Sequence, residues 1–142
     1  MLDLCLIACS ARKRPEPPEP IAAIERYDGV FFRVLRKWLR TNSSSAPDVL
    51  IISARFGLIA ADTSIPTYDQ RMTKQRALEL APAVRAKLRS CLQQRSYSRV
   101  FVNLGKDYQP TVEGVEELAH AIWATGSIGK RAQQMKRWLE GV

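Results

Sequence analysis

Histidine is nearly absent from this chain: His120 is the only one in 142 residues. One histidine excludes multi-histidine metal centres, and beside an expected strand it reads as a structural residue. Cysteine is scarce too. Cys5, Cys9 and Cys91 are an odd count without metal-ligand spacing. They read as free thiols of a reducing compartment, so the expected location is the cytoplasm. Cys9, beside Ser10 and near Arg12 and Lys13, is either a reactive thiol or a small buried hydrophobe. No apolar run approaches the ~20 residues that span a bilayer, so no membrane association is expected. The apolar start, Met1 to Ser10, has an early acid, no basic leader and a basic cluster behind it. It reads as a buried first strand, not a signal peptide. No metal and no cofactor is expected.

Acids are also in short supply. Against 22 lysines and arginines stand 14 aspartates and glutamates, for a net charge of +8. In a small domain this favours a polyanionic partner, with DNA, RNA or a nucleotide first. The plainer alternative is a basic protein without a site. With 46% hydrophobic and 25% charged residues the composition is that of a globular protein. The length fits one domain over residues 1–142.

Four apolar runs read as strands: Leu4–Cys9, Val49–Ile52, Arg99–Leu104 and a short Ala121–Ala124. Between the first and second strands, Pro15 to Pro20 is an extended loop. From Arg26 to Arg40 the helical period puts Tyr27, Phe31, Val34 or Leu35, and Trp38 on a core face. Arg33, Arg36, Lys37 and Arg40 form a solvated cationic stripe. Thr73 is a candidate N-cap for a helix from Lys74, with a kink or break expected at Pro82. A helix interrupted by Gly114 is expected over 108–119, and a last one opens after Gly126. Alternating strands and helices predict an α/β domain, a four-stranded parallel sheet with helices on both faces.

In a parallel sheet, the loops after the strands gather at one edge, where open α/β sheets place their ligands. Four polar loops fall there. Ser10, Arg12 and Lys13 offer a hydroxyl and cations to a phosphate; the alternative is a serine that closes a turn. The stretch from Ser53 to Arg71 supplies Ser53, Arg55, Gly57, Asp62, Tyr68, Asp69 and Arg71. Tyr68 is placed to stack on a base. Asp69 or Asp62 is a candidate general acid or base. The alternative is an Asp69–Arg71 or Asp62–Arg55 ion pair that shapes the loop. Gly105 and Tyr108 follow the third strand. Gly126, Gly129 and Lys130 join a turn to a helix N-terminus that attracts anions; the alternative is a tight turn needing glycine. It is not a P-loop, because Arg131 stands where Ser or Thr would hold magnesium.

The segment Ile52-Ser53-Ala54-Arg55-Phe56-Gly57-Leu58-Ile59, then Asp62, then Ile65 to Met72, resembles the central motif of the YaaA family of peroxide-stress proteins. Cys9-Ser10-Ala11-Arg12-Lys13 is similar to a segment of the uracil-DNA-glycosylase-like domain in archaeosine synthase and related tRNA-modifying enzymes. The resemblance implies a uracil-DNA-glycosylase-like α/β domain associated with nucleic acid or modified nucleobases. The Gly-Gln-Asp-Pro-Tyr and His-Pro-Ser motifs of true uracil-DNA glycosylases are missing, so that activity does not carry over. Asp69 stands where YaaA proteins have arginine. Two functions are expected from these features. One is a nucleic-acid-associated module binding a nucleotide, base or DNA or RNA segment at the strand ends. The other is a small enzyme acting at an N-glycosidic bond, with Asp69, Asp62 and Tyr68 as its catalytic residues.

Overall fold

A computed structural model describes residues 2–141. Its centre is strand β1, Leu2–Ala8, in which Leu4, Cys5, Leu6 and Ile7 are fully buried. A strand covered on both faces must be apolar at consecutive positions, and this one is. Two strands flank it in parallel: β3, Asp48–Ser53, on one side and β6, Tyr97–Asn103, on the other. A two-residue β7, Ile122–Trp123, adds in parallel beyond β6.

The sheet has a fifth strand, which corrects the expected four-stranded parallel arrangement. Gly57–Ala60 forms β4, antiparallel to β3, and the order is β4-β3-β1-β6-β7. The chain turns back over Ala54-Arg55-Phe56, and Ser53 pairs with Gly57. Gly57 has φ +73°, a left-handed conformation that favours glycine. The protein is therefore a single-domain α/β fold with a mixed sheet. A second ribbon pairs β2, Ile21–Ala22, with β5, Ser64–Ile65.

Helices cover both faces. On one, α1 (Ala23–Arg26), α2 (Val30–Thr41) and α4 (Ile128–Leu139) bury Tyr27, Phe32, Leu35, Met135 and Trp138 against Cys5, Ile7, Ile51 and Phe101. On the other, α3 (Lys74–Gln94) packs Ala77, Val84 and Leu88 against Leu6, Ile52, Leu58 and Val102. Thr73 caps α3 as expected, accepting the Arg76 N–H at 3.0 Å. Helix α3 runs on for 21 residues through Pro82 without a break. The helix expected over 108–119 is instead two 3₁₀ turns, Gln109–Val112 and Glu116–Leu118, with Gly114 at φ +82° between them. Pro110 and Gly114 are poor helix-interior residues, and α-helix does not form there.

The cationic stripe also needs correction. Arg36 is buried, not solvated: it donates to the carbonyls of Ile24 (2.8 Å) and Tyr27 (2.7 Å) and to Asp28 (2.5 Å). Arg26 is fully buried and ties down the proline loop through the carbonyls of Arg14, Glu19 and Ile65. Both cations fix the path of the chain around Tyr27.

Candidate functional site

The parallel strands β1, β3, β6 and β7 all end at one edge of the sheet. The residue after β1, Cys9, donates its N–H to the Ile52 carbonyl at 3.0 Å, which holds the first loop against β3. Its Sγ lies 3.0 Å from the Tyr108 hydroxyl and accepts the Ala54 N–H at 3.4 Å. At the end of β3, Ser53 is fully buried. Its Oγ accepts the N–H groups of Arg55 (3.2 Å) and Phe56 (3.0 Å), which closes the turn into β4. Arg76 of α3 fastens the same turn by donating to the carbonyls of Ala54 (2.7 Å) and Arg55 (2.9 Å).

Three hydroxyls meet behind this turn. Tyr27 Oη donates to Ser53 Oγ at 3.1 Å, Ser53 Oγ lies 3.0 Å from Tyr68 Oη, and the two tyrosine oxygens are 2.6 Å apart. The distances allow a closed ring, Tyr27 to Ser53, Ser53 to Tyr68 and Tyr68 to Tyr27, in which Ser53 Oγ also accepts the Arg55 and Phe56 N–H groups, these two sharing one lone pair. Burial pushes the Tyr27 phenol up to about 12, against weaker hydrogen bonds from Ser53 and Tyr68. Burial likewise raises Tyr68 and Tyr108 well above the usual tyrosine range. These phenols stay protonated and serve as hydrogen-bonding groups, not as bases.

Lys13 is set against this cluster by its backbone, which bridges to Tyr27. Its Nζ lies 4.2 Å from the Tyr68 ring centroid and 5.8 Å from that of Tyr27, and donates to the Ala11 carbonyl. Burial lowers the lysine pKa, and the nearby Cys9 and Asp69 partly offset this. Phe56 stands edge-on to Tyr68 at 5.4 Å and remains 38% exposed, so an apolar ring faces solvent beside the cation. Arg55 lies over the Phe56 ring, 5.6 Å from its centroid.

A second group forms where β6 and β7 end. Asn103, fully buried, accepts a hydrogen bond from Arg131 of α4 at 3.1 Å. An open groove of about 400 Å³ lies above, lined by Gly105, Lys106, Gln109, Thr125, Gly126 and Arg131 among others. Gly126 has φ +95°, so the glycine serves the turn. Ser127 caps α4 by accepting the Lys130 N–H at 3.2 Å. Among the described residues no three His, Cys, Asp or Glu side chains gather as a metal site.

Most of the residues expected at the site therefore share this edge, in different roles. Lys13, Ser53, Tyr68 and Tyr108 form the interior. Ser10 closes a turn, donating to the Arg12 carbonyl at 2.6 Å and accepting the Gly29 N–H. Arg12 reaches solvent and pairs with Asp28 at 3.6 Å. Arg55, Asp69, Arg71, Gly126, Gly129 and Lys130 are exposed on the rim, and Gly105 is half-buried. Among the described residues neither the expected Asp69–Arg71 nor the Asp62–Arg55 ion pair forms. Gly57 is buried at the start of β4, where its positive φ serves the turn.

Asp62 is misplaced in the sequence reading. It follows β4, which runs back, so it lies at the opposite edge and shares a groove with Pro47, Asp48 and Tyr97. His120 is exposed. Tyr27 and Asn103 were not among the expected site residues. Asn103 carries the signal that picked out Ser53, a polar side chain ending an apolar strand. Tyr27 carries none, because its spacing marks it only as core.

No protein of curated function matches the chain. Among solved structures, it resembles the crystal structure of AF0587, a protein of unknown function, with a TM-score of 0.58 and 16% identity. The match covers 97% of this chain and 44% of that one, so this chain spans less than half of that protein's length. At this identity the likeness is one of fold. Residues 4–140 match a family of unknown function, DUF6884, and the chain belongs to that family.

Proposed function

We propose that the strand-end edge binds a nucleotide or a segment of nucleic acid, with phosphates on the basic rim and a base against Phe56 and Tyr68. The observation that carries this reading is where the charge lies. The loops at this edge (residues 10–14, 27–29, 54–56, 66–73, 105–108 and 125–131) hold eight lysines and arginines and three aspartates. They are about a fifth of the chain and supply five of its eight net positive charges. A one-sided cationic edge attracts phosphate and steers a polyanion toward it. An exposed aromatic ring flanked by cations suits base stacking, which tolerates any base. Asp62, at the far edge, has no part in this site. The resemblance of the Cys9–Lys13 and Ile52–Met72 segments to nucleic-acid-associated families agrees with this reading, and we propose with it that the fold is uracil-DNA-glycosylase-like.

Thermal stabilisation by nucleosides, nucleotides and short oligonucleotides tests it. A ligand at about 100 times its dissociation constant stabilises by about 2.7 kcal/mol. Nucleotides and oligonucleotides should stabilise the protein and nucleosides much less. No stabilisation by any of them would reject the reading.

A further inference from the structure

Arg131 is a half-buried cation on this edge whose guanidinium is anchored to a buried side chain on one side only. Its guanidinium is held on two sides. Nη1 donates to the buried Asn103 Oδ1 at 3.1 Å, and the Phe31 ring lies 5.0 Å from Cζ. Among the described residues it has no carboxylate partner, and its remaining N–H groups have no acceptor in the protein and open to solvent on the groove side. Burial lowers its pKa. Contrast Arg36, whose buried guanidinium is met by Asp28 and two carbonyls. A partly desolvated cation without a counter-charge carries an electrostatic cost, which the Phe31 ring offsets only in part. The groove it lines has a volume within the range of small-ligand sites.

We infer that this groove between the ends of β6 and β7 is a phosphate subsite, with Arg131 as its gripping residue and Asn103 as the residue that positions it. An arginine with one edge anchored and the other free presents a fork that fits two phosphate oxygens. Lys106, on the same rim, adds charge. The inference rests on the nucleotide reading above and deepens it by naming where one phosphate sits. The phosphate can come from a mononucleotide or from a nucleic-acid backbone.

Inorganic phosphate is the first probe. In the ¹⁵N-labelled protein, the Arg131 Nε–H resonance, identified by its loss in Arg131→Lys, should move as phosphate is added. Arg131→Gln should weaken phosphate binding about tenfold or more, in line with the loss of charged hydrogen bonds. Arg131→Lys keeps the charge but not the fork and should fall between. Lys136→Gln, on the groove between α2 and α4, should bind as the unaltered protein does. Short oligothymidylates with and without a 5′-phosphate separate the two sources. A preference for the phosphorylated strand that disappears in Arg131→Gln assigns a terminal phosphate. Equal binding of both strands, equally weakened by Arg131→Gln, assigns a backbone phosphate.

A resonance that does not move, or an Arg131→Gln protein that is folded by circular dichroism and binds phosphate undiminished, overturns the inference. If Arg131→Gln does not fold, an unchanged phosphate affinity in Arg131→Lys overturns it. Oligonucleotide binding indifferent to both substitutions, with no phosphate response, removes the subsite and leaves the nucleotide reading in place. Phosphate binding through Arg131 without any nucleotide binding does the reverse.

Discussion

Tyr27 and Tyr68 are 41 residues apart in the chain, and their hydroxyl oxygens lie 2.6 Å from each other, both within 3.1 Å of Ser53 Oγ. The contact joins the turn before α2 to the loop after β5 and fixes both against the end of β3. Tyr27→Phe and Tyr68→Phe should each cost about 1–2 kcal/mol in urea unfolding, because each leaves a buried hydroxyl short of a partner. The double variant should cost less than the sum by at least ~0.5 kcal/mol, since the residues share one ring. Additive costs would show that the hydroxyls do not act together.

All four tyrosines of the chain have a raised pKa, with burial the largest cause in each case. The folded protein thus keeps phenolic protons that the unfolded chain releases. Its stability is complete below the unfolded value of about 10 and falls as pH rises through it toward the folded values. Tyrosinate absorbance should therefore be absent from the folded protein near pH ~10 and emerge with unfolding. A tyrosine that titrates fully at about 10 while circular dichroism is unchanged would contradict the burial of that residue.

Asp28 behaves in the opposite sense. Hydrogen bonding to Arg33, opposed by burial and reinforced by Arg36, holds its carboxyl below the usual range. Its contribution is present above the unfolded value and lost as pH falls through the folded one. Asp28→Asn should be less stable than the unaltered protein near neutrality, and the gap should close as the pH drops below about 4. A gap constant across that range would mean that the carboxylate charge contributes nothing.

The two aspartates singled out in the sequence should respond differently. Asp62→Asn, at the far edge, should leave nucleotide and oligonucleotide affinity unchanged. Asp69→Asn removes an acid from the cationic rim and should strengthen oligonucleotide binding about two- to threefold at low salt. Titration of both variants with one labelled oligonucleotide checks this. Weaker binding in Asp69→Asn would mean that the carboxylate contacts the ligand.

Much of the sheet was legible because three strands are continuous apolar runs, and their loops fell at one edge as a parallel arrangement requires. Strand β4 was not. Gly57-Leu58-Ile59-Ala60 is only four residues long and was read as part of a polar loop, so the reversal that carries Asp62 to the opposite edge went unseen. The signal was Gly57, at the left-handed position of the turn. Arg26 and Arg36 were hidden for another reason: hydrophobic periodicity assigns arginine to solvent, whereas these two are buried on backbone carbonyls. The breaks at Pro110 and Gly114 were visible in the sequence and outweighed the helical reading. Tyr27 was placed in the core correctly, but periodicity cannot say which hydroxyls a core tyrosine meets.

The salt dependence of oligonucleotide binding tests the role of this edge most directly. Anisotropy of a labelled single strand should give an affinity that falls steeply as salt rises, and neutralising Lys13 and Arg71 together should flatten the slope of log affinity against log salt by about one to two units. An affinity that is absent at low salt, or unmoved by salt and by those substitutions, would contradict a nucleic-acid role for this edge.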